Sequence, residues 1–423
     1  MYKVIKTYQV RLNPTSEQIL MLNELSMSKN LLYNKIIEEQ INEHKTNNRI
    51  HSEFDLNKLI TVWRNEPNSD LKKLNSKLCQ TVSKQVFGSY RSFFNLIKKD
   101  KTARPPKLIE DVNQFKTLVF NQSGWSFKKD NYIVINGIKI KYSDGNRFPN
   151  LKDLTIKEIR VKNKLGKWLM DFSVEFEVQT DEVITVKNKV LALDLGLKTL
   201  ATGIDTDGNL VKVSNKVYKI NNYFNKQINK VKSKLSKKVK NSKSYNKLNS
   251  VKDKLYNKKN EQIKQTLHIQ SKEISNMNYK TIVIGDLSVK KLMSTNGVNS
   301  GYKGKSKRKT FNDSCVSTFV SILSYKCQSK NTEIIKINES YTTQTNCLTG
   351  HLFPKHIEIN DREVSLTPEI IIDRDLNAAI NIYKRYENNH LALVNEPLDV
   401  SSVVSKFNLL TKSSVKFNGS STL

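Results

Sequence analysis

The chain has 423 residues, 71 of them basic and 40 acidic, for a formal charge of +31. That excess calls for a polyanionic partner, and since no apolar run reaches the roughly 18–20 residues that cross a bilayer, nucleic acid is favoured over membrane. Cys79, Cys315, Cys327 and Cys347 have no paired short spacing, which argues against a disulfide framework and suits a reducing cytoplasm.

Residues 2–12 alternate as a strand does, through Val4, Tyr8, Val10 and Leu12. Pro14-Thr-Ser-Glu17 starts a helix. Apolar residues then recur at helical spacing as far as Ile97, among them Leu22, Leu25, Leu32, Ile36, Leu78, Val82 and Val86. Lys98-Lys-Asp-Lys-Thr-Ala-Arg-Pro105-Pro106 ends that region. Residues 107–186 read as strands which, with 2–12, close a small barrel into which the helices are inserted.

Val190–Asp205 reads as a two-stranded hairpin opening an α/β domain. Two long helices follow over Val217–Gln265, then a strand at Thr281–Ile284, a helix at Cys315–Lys326, a strand at Thr332–Ile337 and a last helix at Asp375–Tyr386. From Glu387 onward no period is visible, and a mobile tail is expected.

Gly208 to Lys252 contains no acidic residue. Ile220, Phe224, Ile228, Val231 and Leu235 form one apolar stripe, and Lys226, Lys230, Lys234, Lys237 and Lys238 lie off it. Ammonium groups without acid partners suit a phosphate backbone and read charge rather than bases. A second basic cluster holds Lys305, Lys307 and Arg308.

Three segments carry a family resemblance: Val190-Leu-Ala-Leu-Asp194, Thr281-Ile-Val-Ile-Gly285-Asp-Leu-Ser288 and Ile371-Ile-Asp-Arg-Asp375-Leu-Asn-Ala-Ala379. They resemble the three carboxylate motifs of a RuvC-type nuclease. Tyr8–Gln18, Leu31-Leu-Tyr-Asn34, Phe93-Phe94 and Tyr341-Thr-Thr-Gln-Thr345 extend the likeness to the TnpB family of transposon proteins and the miniature type V CRISPR nucleases. The resemblance implies an α+β multidomain fold. A wedge-type β-barrel would span 1–14 and 100–186, with a helical recognition domain at 15–99. A RuvC-like domain of RNase H fold would span 187–340 and 373–386, with a degenerate zinc-ribbon insertion at 341–372 and a tail at 387–423. It also places Arg91 near a nucleic-acid duplex, and Lys77, Gln80, Lys84 and Gln85 where a short target-adjacent DNA motif is read.

In that family a glutamate stands at the position of Gly285, and with Asp194 and Asp375 it holds the two magnesium ions that drive phosphodiester hydrolysis. Gly285 has no side chain. Asp286 points to the opposite face of its strand, so neither it nor Asp373 is the expected replacement. Without metal, Asp194 serves backbone groups of the hairpin and Asp375 caps the last helix. The four zinc positions hold Asn346, Thr349, Ser365 and Pro368, so a tetrahedral site cannot assemble, and the insertion is either a loose loop or held by packing alone.

The reading that follows is a nuclease-dead TnpB-like protein of the kind called TldR, in the bacterial cytoplasm at the nucleoid. It needs a guide RNA but no other cofactor, and any magnesium kept at the vestigial site does not support cleavage. It acts as one monomer per guide RNA, opens a motif-flanked double-stranded DNA as an R-loop, and represses transcription by occluding a promoter. The alternatives are an active RNA-guided endonuclease with a relocated carboxylate, and a non-guided nucleic-acid-binding relic.

Overall fold

The computed structural model describes residues 2–121, 123–143, 154–178, 187–196, 199–286, 313–358, 361–389 and 398–409. They form two compact units, 1–180 and 181–423.

The first unit begins with β1 (Tyr2–Asn13), α1 (Ser16–Asn47), α2 (Glu53–Asn65), a 3-10 turn at Asp70–Lys73 and α3 (Ser76–Ile97). Strands β2 (Leu118–Phe120), β3 (Trp125–Lys128), β4 (Tyr132–Ile135), β5 (Ile138–Ser143), β6 (Thr155–Lys164) and β7 (Lys167–Val178) follow. The strands make one antiparallel, nearly closed barrel sheet in the order β2-β6-β7-β1-β5-β4-β3. The alternation expected of β1 places Val10 and Leu12 in the core with Ile140, Met170, Phe172 and Val174.

A capping box starts α1: Gln18 N–H donates to the Thr15 hydroxyl and Thr15 N–H to the Gln18 side chain. The Gln18 amide also donates to the Lys139 carbonyl at 2.7 Å, tying the helix to β5. Farther along, Ser26, Asn30 and Asn34, one turn apart, bond backbone groups of residues 109–116. That polar stripe, invisible to an apolar-period search, anchors an extended segment to the helix.

The second unit has β8 (Lys187–Leu195), β9 (Thr199–Asp205), β10 (Leu210–Ser214), α4 (Lys216–Leu235), α5 (Lys243–Ser275) and β11 (Tyr279–Gly285). It continues with α6 (Val316–Gln328), β12 (Glu333–Ile337), the hairpin β13 (Glu363–Thr367) and β14 (Ile370–Asp373), α7 (Arg374–Asn389) and α8 (Val400–Lys406). Its sheet runs β10-β9-β8-β11-β12. The first three strands are antiparallel, and β11 lies parallel to both β8 and β12.

β8, β9 and β11 are apolar on both faces because each face is covered. One side packs Leu191, Leu193 and Ile284 with Leu267, Ile274, Phe319 and Leu323 of α5 and α6. The other packs Ala192, Ile204 and Val283 with Ile380, Ile382 and Tyr383 of α7.

Two expectations are corrected. The hairpin gains a third strand, β10. The segment after Glu387 is not wholly a loose tail: Leu398, Val403 and Val404 are buried in the α7 core. Asn408 donates to the Glu369 carbonyl and accepts from Ile371 N–H, fastening this segment beside β14. A seven-residue helix is too short to display a period. No helix among the described residues is long and apolar enough to cross a membrane.

Candidate carboxylate centre and nucleic-acid interface

Asp194 sits near the end of β8. One step beyond the last paired positions of the β8–β11 ladder, Leu193 and Ile284, stand Asp194 and Gly285. On its other side Gly285 pairs with Ile337, the last residue of β12. The chain leaves β12 through Asn338 and Glu339, and Glu339 turns back toward Gly285. A Cβ placed on Gly285 would lie 2.3 Å from Glu339 Oε2 and 3.0 Å from Glu339 Cβ. The Glu339 side chain thus fills the space that a side chain at position 285 would need. Sequence reading missed this residue because it weighed only Asp286 and Asp373, acids inside the recognised motifs. The available signal was an acid just past the neighbouring parallel strand, whose end reaches the same edge of the sheet.

The electrostatics are those of crowded, under-neutralised carboxylates. Glu339 Oε2 is buried with no hydrogen-bond partner among the described residues. Burial, and then the charge of Asp286, pushes the Glu339 carboxyl up to about 7. Burial pushes Asp194 up to about 8, with Asp375 and Glu339 adding to the effect and Arg374 opposing it. Asp194 as a residue stays partly accessible, while protein surrounds its carboxyl.

Asp375 lies in the first turn of α7 and is 5% exposed. Its Oδ2 accepts from Arg362 Nη2 at 2.7 Å and its Oδ1 from Arg374 Nη2 at 3.1 Å. The capping role expected of Asp375 falls to its neighbour. Asp373 Oδ1, not Asp375, receives a first-turn amide, that of Asp375 at 2.8 Å. No hydrogen bond to the Asp194 carboxylate is found among the described residues, and the hairpin turn at 197–198 that it was expected to serve lies outside them. Asp373 is further engaged by Lys212 at 3.2 Å. Among the described residues no three ligand-type side chains already converge as a metal cage, and both Asp375 oxygens are turned to arginine.

Residues 341–358 and 361–373 are ordered by polar bridges as well as by packing, which corrects both alternatives for the insertion. Asn346 accepts from the amides of Leu348 and Thr349 and donates to the Leu366 carbonyl at 2.8 Å, joining the turn to β13. Asn377 and Asn381 of α7 donate to the Thr345 carbonyl. The Thr349 hydroxyl accepts from His351 N–H, and the Ser365 hydroxyl donates to the Thr367 carbonyl. Pro368 lies in the β13–β14 turn. Cys347 is buried in the α7 core, where burial raises its thiol to about 12, so it is a packing residue.

α4 buries Phe224, Ile228 and Leu235, and Lys226, Lys230 and Lys234 face solvent. Lys237 and Lys238 are also exposed but lie in the turn after the helix, so they do not extend its row. None of the five is in an ion pair among the described residues. Lys305, Lys307 and Arg308 lie outside the described residues. Arg91 is exposed on α3; there Lys77 and Gln80 are half-buried, and Lys84 and Gln85 exposed. The start of α3 opens on a cleft of about 630 Å³ lined by Arg64, Lys72, Lys73 and Trp125.

A mixed five-stranded sheet with acids gathered at one edge, in a strongly basic chain, defines a nucleic-acid-directed protein built on a nuclease-type α/β frame. Residues 172–296 match the OrfB/IS605 family described as a probable transposase. Residues 317–382 match the Cas12f1-like TNB domain, and 1–49 the helix-turn-helix domain of OrfB/IS605 proteins. A putative RNA-guided DNA endonuclease of Streptomyces pristinaespiralis is 22% identical over 386 residues, covering 90% of this chain and 89% of that protein. The protein in the cryo-EM structure of a Cas12f1–sgRNA–target DNA complex shares the fold, with a TM-score of 0.52 at 12% identity, over 90% of this chain and 98% of that one. The chain belongs to the TnpB-like family of transposon OrfB proteins and miniature type V CRISPR effectors.

Proposed function

We propose that this protein is an RNA-guided DNA endonuclease whose metal centre is rearranged, with Glu339 taking over from position 285. Its partners are a guide RNA and a double-stranded DNA target beside a short motif. The observation that carries the reading is the buried Glu339 oxygen, without a hydrogen-bond partner among the described residues, lying where a side chain on Gly285 would stand. Buried carboxylates without counter-charge are costly, and a divalent cation is the natural remedy.

The donor chemistry, carboxylate oxygens, is that of magnesium, a hard cation that takes oxygen ligands, and closing the set requires Asp375 to turn from arginine. Asp194, Glu339 and Asp375 would hold it, and when bound it supplies an activated water and stabilises the leaving oxygen. The exposed lysines of α4 hold phosphates without reading bases, as suits a protein whose specificity comes from base pairing. The 341–372 segment needs no zinc on this reading.

A second reading, the nuclease-dead repressor, keeps one observation in its favour: both Asp375 oxygens are already committed to arginine. Magnesium-dependent cleavage of a guide-matched supercoiled plasmid separates the two. Cleavage by the wild-type complex, lost in Glu339→Gln, supports the endonuclease. Stable guide-dependent binding with no cleavage, together with repression of a promoter reporter, supports the repressor.

A further inference from the structure

The two arginines on Asp375 are not equivalent. Arg374 precedes Asp375 in the chain, is 15% exposed at its side chain, and also donates from Nη1 to the Glu358 carbonyl at 3.0 Å. It is fixed at both ends of its guanidinium. Arg362 comes from the insertion, just before β13. Its side chain is 33% exposed, and Asp375 is the one group its guanidinium bonds among the described residues. Its anchorage is otherwise through the backbone, where its carbonyl accepts from Arg374 N–H at 2.8 Å.

We infer that Arg362 is a displaceable counter-ion, holding Asp375 in competition with a divalent cation, so that the insertion acts as a latch on the carboxylate centre. This rests on the metal-centre reading above. The centre offers Asp194, Glu339 and Asp375, with Asp286 beside Glu339 and Asp373 nearby. Arg374 and Lys212 are held on Asp375 and Asp373, and neither Asp194 nor Glu339 is ion-paired among the described residues. A divalent ion among these acids gains attraction from all of them, whereas Arg362 satisfies a single oxygen.

Arg362 and a cation compete for Asp375 Oδ2, because a guanidinium 2.7 Å from that oxygen takes up one of its lone-pair directions and repels a cation approaching the other. A long, half-exposed arginine swings away at small cost, and Arg374 still neutralises the carboxylate it leaves. The metal-binding step is therefore coupled to the placement of the β13–β14 hairpin.

The test titrates Mn²⁺ into the full-length, nucleic-acid-free protein and counts free Mn²⁺ by electron paramagnetic resonance. Wild type, Arg362→Ala, Arg362→Gln, Arg362→Lys and Glu339→Gln are compared. Arg362→Ala and Arg362→Gln are expected to bind Mn²⁺ roughly tenfold more tightly than wild type, equivalent to about 1.4 kcal/mol. Arg362→Lys should fall between, since a lysine keeps the charge but not the fork. The Mn²⁺ concentration giving half-maximal plasmid cleavage should drop by the same factor.

Equal or weaker binding by both neutral variants, in a wild type whose binding Glu339→Gln abolishes, overturns the latch and leaves the metal centre standing. Binding by neither wild type nor either neutral variant overturns both. Binding by the neutral variants alone marks a latch strong enough to close the site.

Discussion

Glu339→Gln keeps the shape of the side chain beside Gly285 and removes its charge. Two effects of opposite sign follow. Without metal, the folded protein favours protonated Glu339, whose carboxyl is raised from an ordinary 4.5 to about 7. An acid raised on folding costs nothing below its unfolded value, and its cost grows as pH rises from about 4.5 through 7. Moving a carboxyl that far corresponds to roughly 3 kcal/mol at about 1.4 kcal/mol per pH unit. Because the residue is half-buried and water screens part of it, about 1–2 kcal/mol is the fair expectation.

In a chelator at pH 8 the variant should therefore be the more stable protein by that amount. For a unit of this size that is a melting temperature roughly 2–6 °C higher. At pH 4.5 the two should melt together. Excess magnesium at pH 8 should stabilise wild type by mass action and leave the variant nearly unmoved, erasing or reversing their order. Plasmid cleavage by the variant should fall at least about a hundredfold, as expected when a centre loses a metal-holding group. Identical melting at every pH, with cleavage by the variant at the wild-type rate, would refute the assignment of Glu339.

Gly285→Glu should not rescue anything: its Cβ would meet the Glu339 carboxylate at 2.3 Å, so the single variant should lose both stability and cleavage. The pair Gly285→Glu with Glu339→Gly should recover both, as the same plasmid assay and a melting curve will show. Replacing Lys226, Lys230, Lys234 and Lys237 by Ala should weaken matched and mismatched DNA alike. It should also lower the slope of log affinity against log salt by roughly 0.9 for each lost phosphate contact, and an unchanged slope would place the nucleic acid elsewhere. Elemental analysis should find no stoichiometric zinc, and chelators should leave the melting temperature of Glu339→Gln unchanged. Asn346→Ala, which removes one donor and one acceptor from a buried site, should cost about 1–3 kcal/mol in denaturant unfolding.

Much of the fold was legible because burial writes itself as periodicity. The alternation in β1, the apolar runs of β8 and β11, and the stripe on α4 each matched one face or two of a covered element. What escaped was written in polar or short segments. Ser26, Asn30 and Asn34 bind the irregular backbone of residues 109–116 through amides and a hydroxyl. Asn346 joins a turn to a hairpin where a metal would otherwise do so. α8 has too few residues to show a period, yet Val403 and Val404 complete the core over α7.

Asp194 and Asp375 were picked out by their resemblance to the RuvC-type motifs, and the structure places both where their charges bear on one another. Glu339, the third member proposed here, was illegible for a geometric reason. Gly285 is an absence only along the chain. In the sheet it lies between Asp194 on β8 and the end of β12, and parallel strands deliver their carboxyl ends to one edge. A ligand at that edge is defined by where its oxygen lies, and the oxygen of a residue 54 positions downstream (339 − 285) reaches the same place. Glycine at 285 leaves the space that Glu339 fills: a Cβ there would lie 2.3 Å from the Glu339 carboxylate as it now stands. The missing acid and the glycine are therefore one feature, and a search confined to acids within the three motifs, Asp286 and Asp373, cannot find it.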